Sequence, residues 1–142
     1  MKYAAAVAAL TAFLAFASPA HAERIEVTTR VSHVNRQALA PSGRAGDLES
    51  AQWLIRDRYG AAIGDLAIDC RWVISSLRLC VGQLALPLGS VVVAGASRTR
   101  FLGQLAIVGG TGNYVGADGT MVFRSKGTGA YVLSLNYDLD DK

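Results

Sequence analysis

The chain is short of the residues from which most active sites are built. It holds 2 histidines and 2 cysteines among 142 residues, and only 18% of it is charged. His21 falls in the leading segment described below, so His33 stands alone in the rest of the chain. One histidine supports neither a Ser-His-Asp relay nor a zinc cluster, and His33 reads as a solvated residue at a strand end. No Gly-x-Ser-x-Gly run is there to present a nucleophilic serine, and no Gly-Lys-Ser/Thr completes a phosphate-binding loop. Basic and acidic residues nearly balance, 14 against 11, for a formal net charge of +3. They are scattered, which gives no footprint for nucleic acid or for an anionic membrane surface. Beyond the leading segment no apolar run approaches the roughly 20 residues that a spanning helix needs, so no membrane insertion is expected. No cofactor is expected either.

What is present begins with a targeting signal. Lys2 opens it, Ala4 to Phe16 is apolar, and Ala20-His21-Ala22 is an Ala-x-Ala cleavage site. This is the pattern of a secretory signal peptide over residues 1–22, cut after Ala22. The product is expected to be secreted or periplasmic, with residues 23–142 forming one domain. Cys70 and Cys80 both lie in the exported part, where an oxidising compartment favours a disulfide over free thiols.

Apolar residues then recur at a spacing of two. Ile25, Val27, Thr29 and Val31 share one face, with Arg24, Glu26, Thr28 and Arg30 on the other. The alternation stops at Ser32, and a long loop is expected to Gly46. Asp47 to Asp57 reads as a strand, followed by a Tyr59-Gly60 turn. Ile63 to Ile74 is a strand with Leu66, Ile68, Cys70, Trp72 and Ile74 on one face, turning at Ser75-Ser76 into Leu77 to Leu86. Setting Cys70 opposite Cys80 puts Ile68 opposite Gly82 and Leu66 opposite Leu84, so bridge, turn and apolar face agree. Ser90 to Ala94 and Gly103 to Val108 are short apolar strands, the latter of the fully buried kind. Ala117 to Lys126 and Ala130 to Asp138 form a hairpin whose last strand turns Tyr131, Leu133, Leu135 and Tyr137 to one side. About eight strands joined by Gly-rich turns predict an all-β sandwich or barrel, and eight strands leave an interior that either fills with side chains or holds one small ligand.

Phe101 to Gly119 organises the chain. Gly109, Gly110, Gly112, Gly116 and Gly119 surround a single aromatic, Tyr114, which marks a tight turn rather than a linker. A dinucleotide fingerprint is excluded, because Val115 stands where the third glycine belongs and a strand-like run follows instead of a helix. Ala106-Ile107-Val108-Gly109-Gly110-Thr111-Gly112-Asn113-Tyr114-Val115-Gly116-Ala117-Asp118-Gly119 resembles the signature of the dirigent and allene oxide cyclase group, and weaker similarity extends from about Gly46 to Asp138. The resemblance implies an eight-stranded antiparallel β-barrel, calycin-like, whose interior holds a hydrophobic small molecule. It also implies steering of a cyclisation or isomerisation, and assembly as a homodimer or homotrimer. Apolar residues on both faces of Leu77 to Leu86 fit a covered outer wall.

Candidate site residues follow from that picture. A carboxylate in an apolar cavity is a usable proton donor, because burial raises its pKa. Asp57 resembles the aspartate at the same strand end of dirigent proteins, and is otherwise a turn-forming residue. Asn113 and Asp118 occupy positions where dirigent proteins carry an acidic residue and an arginine used on the substrate. The arginine is missing here, and both residues suit turns. Trp53, Tyr114, Tyr131 and Tyr137 either line a ligand pocket or build the core, as does Trp72. Arg98 and Arg100 stand at a barrel mouth or in a solvated loop. The chain is therefore a cyclase-like or isomerase-like barrel, a non-catalytic binder with the same pocket, or a solid structural barrel.

Overall fold

The computed structural model describes residues 23–37, 44–98, 103–127 and 130–139, with side chains from 23–29 in the first of these. Residues 1–22, where a signal peptide is expected, Arg100 and the side chain of His33 lie outside the described residues. Among those described, period-two alternation yields eight strands: β1 (Glu23–Gln37), β2 (Leu48–Arg56), β3 (Ala62–Ile74), β4 (Leu77–Leu86), β5 (Gly89–Ser97), β6 (Gln104–Gly110), β7 (Ala117–Ser125) and β8 (Ala130–Leu139). Each pairs antiparallel with the next, and β8 returns to β1 from Glu23 opposite Tyr137 to Arg30 opposite Ala130, closing the barrel. Closure leaves no unpaired edge for another chain to extend.

Three local expectations change. β1 does not stop at Val31 but runs on to Gln37. Its register against β2 shifts between Val31 opposite Trp53 and His33 opposite Gln52. A bulge of this kind adds one residue to one strand, which breaks a strict period of two and makes the continuation read as loop. β5 extends to Ser97. β6 is half-buried rather than fully buried: Leu105 and Ile107 point in, while Val108 is 57% exposed on the outer wall.

Inside, Ile55, Leu66, Leu84, Val93, Met121, Leu133 and Leu135 expose none of their surface. A void beside them wide enough for water would count as surface, so the middle of the barrel is filled with side chains. Burying each such residue contributes about 1.5 to 3 kcal/mol, which makes this belt the main source of stability.

The β3–β4 hairpin has the register that the cysteines imply, with Leu66 opposite Leu84, Ile68 opposite Gly82 and Cys70 opposite Cys80. Cys70 and Cys80 are bonded and buried. Gly82 is required because a Cβ there would collide with the side chain of Ile68.

The glycine-rich stretch is the stopper of one end. After β6 the chain makes a single 3-10 turn, η1 (Gly112–Tyr114), that inserts the Tyr114 ring into the core. Thr111 fastens the stopper to β5: its N–H donates to the Ser90 carbonyl (2.8 Å) and its Oγ1 accepts from the Ser90 N–H (3.1 Å). The Asn113 N–H donates to the Leu88 carbonyl (2.9 Å). Gly110 has no room for a side chain, since a Cβ would stand 2.5 Å from the carbonyl oxygens of Ser90 and Tyr114. Tyr114 meets Tyr137 edge to face at 5.9 Å, and the Tyr137 hydroxyl donates to Glu23 Oε2 at 2.7 Å. Burial, then the hydrogen bond to Glu23, pushes the Tyr137 phenol well above its ordinary 10.0, and burial followed by the Glu23 charge raises Tyr114 too.

Replacing both cysteines by serine is expected to lower the unfolding free energy by about 2 to 3 kcal/mol, read from urea melts, with the circular dichroism of the barrel unchanged. The stopper has an alkaline signature. Unfolded tyrosine ionises near 10.0 and folded Tyr137 only at higher pH, so this contribution is complete below pH 10.0 and is lost as pH rises beyond it. Tyr137→Phe is expected to flatten the alkaline decline of stability in urea melts taken from about pH 9 to 12; an unchanged decline would show that the pair does not set it.

Candidate functional site

The two ends of the barrel differ in kind. At the end where β1 begins and β8 finishes, the η1 stopper and the Tyr114, Tyr137 and Glu23 cluster close the interior. The opposite end receives the β1–β2, β3–β4, β5–β6 and β7–β8 connections, and the strands turn a mixed set of side chains inward there. This end is the candidate mouth.

One half of the mouth is aromatic. Trp53 on β2, Phe123 on β7 and Tyr131 on β8 form a three-ring cluster, with centroids 6.1 Å apart for Trp53 and Phe123, 6.5 Å for Trp53 and Tyr131, and 6.4 Å for Phe123 and Tyr131. The last two pairs meet edge to face at 86° and 83°. β1 separates β2 from β8, and among its described side chains buried Thr29 lies opposite Tyr131, its hydroxyl donating to the Leu54 carbonyl at 3.0 Å. Trp53 is 6% exposed, and its Nε1 is buried without a hydrogen-bond partner. Tyr131 is half-buried and is the ring nearest solvent.

The other half is charged. Arg78 on β4 is 2% exposed, and its Nη1 donates to Glu49 Oε1 on β2 at 3.3 Å. The guanidinium also lies 5.5 Å from the centre of the Trp72 ring. Register explains the grouping: Trp72 faces Arg78, Arg78 faces buried Ser97, and Glu49 faces Cys70. The disulfide thus lies on the inner face directly below the pair and ties together the two strands that carry Trp72 and Arg78.

The residues singled out from sequence divide. Trp53 and Tyr131 come together at the mouth. Tyr114 and Tyr137 come together at the stoppered end. Asp57 lies in the β2–β3 turn, where its Oδ1 accepts the N–H groups of Tyr59 (2.8 Å) and Ala61 (2.9 Å). Asn113 is exposed on η1 and Asp118 is exposed on β7, paired with Asp138. Arg98 is exposed just past β5. The structure does not bring Asp57, Asn113 and Asp118 into one group.

Glu49 and Arg78 are the residues that the sequence reading passed over, although a signal for each was present. Counting back by twos from Ile55 and Trp53 reaches Glu49, and counting back from Cys80 reaches Arg78. Among the described residues no group of three or more His, Cys, Asp or Glu side chains is placed to hold a metal ion. An open cleft of about 490 Å³ lies outside the wall beside this end, bounded by Ala45, Gly46, Arg71, Trp72, Val73 and Leu79. It adjoins the mouth at Trp72, while Arg71, Val73 and Leu79 face outward.

No protein family and no curated protein matches the sequence. Solved structures do match in shape. Pyocyanin demethylase superposes with a TM-score of 0.74 at 17% identity, over 81% of this chain and 99% of that one. The Diels-Alderase AbmU from Streptomyces koyangensis gives 0.69 at 19% identity, over 82% of this chain and 64% of that one. A nonspecific heme-binding cyclase that catalyses a 4 + 2 cycloaddition gives 0.68 at 18% identity, over 84% and 69%. What this chain shares with them is the fold, a small closed barrel.

Proposed function

We propose that the protein is an exported barrel that seats a hydrophobic, partly aromatic small molecule at the end opposite the stopper and promotes or steers its cyclisation or isomerisation. The observation that carries this reading is the mouth itself, with an aromatic cluster on one side and a buried charged pair on the other. Such a seat orients a molecule that has an apolar body and one polar group. Structural neighbours that act on small molecules, two of them cyclases, support the same reading. The filled middle of the barrel is the reason for looking to one end for the seat. The bonded cysteines accord with an exported protein.

Glu49 is the group in position to move a proton. Its carboxylate would take a proton from the carbon beside a conjugated carbonyl and return it at the far end of the conjugated system. One C–H bond breaks and another forms, so the molecule isomerises without any co-reactant. Arg78 orients the carboxylate. Binding without turnover is the second reading, favoured by the engagement of Glu49 with Arg78.

We also propose that a second copy covers the outer wall over β4, β5 and β6. Leu79 and Val81 are 53% and 59% exposed there, opposite Ala96 and Ala94, and Ala106 and Val108 continue the face. No outward residue of these three strands is charged.

Incubation with a panel of conjugated polyenes and quinone-type aromatics, followed by chromatography, is expected to show conversion of at least one compound. Glu49→Gln should slow that conversion about a hundredfold or more while leaving binding within a few-fold. Binding without conversion would leave a non-catalytic binder, and no binding at all would remove the reading. For the outer wall, sedimentation is expected to give a mass above one chain, reduced to one chain by Val81→Asp.

A further inference from the structure

A buried indole N–H without a partner is uncommon, because tryptophan in a core normally finds an acceptor for it. Leaving such a donor dry costs free energy that any acceptor brought to it would recover. Trp53 Nε1 is in that position, and the Thr29 hydroxyl, on the strand between β2 and β8, is directed to the Leu54 carbonyl. The other two rings of the cluster offer only their edges and faces at 6.1 and 6.5 Å. Apart from the Tyr131 phenol at the half-buried edge and the Thr29 hydroxyl already engaged, the aromatic half is apolar, so this buried atom is where a bound molecule gains direction as well as affinity.

We infer that Trp53 Nε1 is the specificity-determining donor of the mouth, and that it selects planar aromatic or conjugated molecules carrying a carbonyl oxygen or an equivalent acceptor. This rests on the small-molecule reading above and adds the chemical class of the ligand. The molecule lies against Trp53, with Tyr131, the half-buried ring, turning aside to admit it. Its acceptor meets the indole N–H, and its remaining edge faces Phe123. A carbonyl held there also puts the conjugated system of the ligand on the same inner face as Glu49, since Glu49, Ala51 and Trp53 follow one another at a spacing of two on β2. Molecules of the same shape without an acceptor leave the indole unpaired and bind less well.

The test uses a matched pair, 9-fluorenone and fluorene, which share a planar three-ring body and differ in one carbonyl. Calorimetry on the wild-type protein is expected to show fluorenone binding about tenfold tighter than fluorene. Trp53→Phe keeps an aromatic ring and removes the donor. It should bring the two affinities within about twofold of each other, mainly by weakening fluorenone. In wild-type protein labelled with nitrogen-15, fluorenone should shift the indole N–H resonance of Trp53 downfield and fluorene should not, a readout that does not depend on how the variant folds. Equal wild-type affinities, a preference that survives in Trp53→Phe, or an unmoved indole resonance would each overturn the inference while leaving the small-molecule reading intact. Failure of both probes to bind wild-type protein would overturn both.

Discussion

The pairing of β1 with β8 is the constraint on which everything else rests. From Glu23 opposite Tyr137 to Arg30 opposite Ala130, these ladders convert a curled sheet with two raw edges into a ring. A ring has one inside, and all inward side chains must share it. Because the middle of that space is taken up by aliphatic side chains with no surface left, whatever is not aliphatic is pushed to the rims. Among the described residues, the polar and aromatic side chains of the interior are therefore gathered at the two rims.

The rims have been given opposite tasks. At one, a turn too tight for any side chain at Gly110 folds a tyrosine back into the core and pins it to β5 through Thr111 and Ser90. There the Tyr137 phenol donates to the Glu23 carboxylate and the two tyrosine rings meet edge to face. At the other rim the indole nitrogen of Trp53 has no partner, and a guanidinium, a carboxylate and three rings stand near the opening. The first rim is closed by an inserted aromatic side chain, whereas the second gathers an aromatic cluster and a charged pair.

Much of this was legible in the sequence, for identifiable reasons. A barrel strand has one wet and one dry face, so alternation locates it. Two cysteines set the register of β3 and β4 without help from the rest of the chain. The glycine density around Tyr114 announced a fixed turn. What escaped were features that depend on partners far apart in sequence. The bulge near Val31 hid the second half of β1, because one extra residue exchanges the faces. Val108 looks like a core residue in any single strand, and only the single-layer wall shows that it points outward. The mouth was missed because Glu49 and Arg78 are individually ordinary surface residues. Only the closed ring turns both inward, 29 positions apart, onto one another. Asp57 looked catalytic by likeness, yet two backbone donors in its own turn occupy the same carboxylate oxygen.

Glu23 and Tyr137 sit side by side at the stoppered rim, so the described chain enters and leaves the ring at the same place. A tether, tag or fused domain attached at either side of that point projects away from the mouth. The opposite rim can thus stay accessible however the protein is anchored, and the stoppered end is the natural handle.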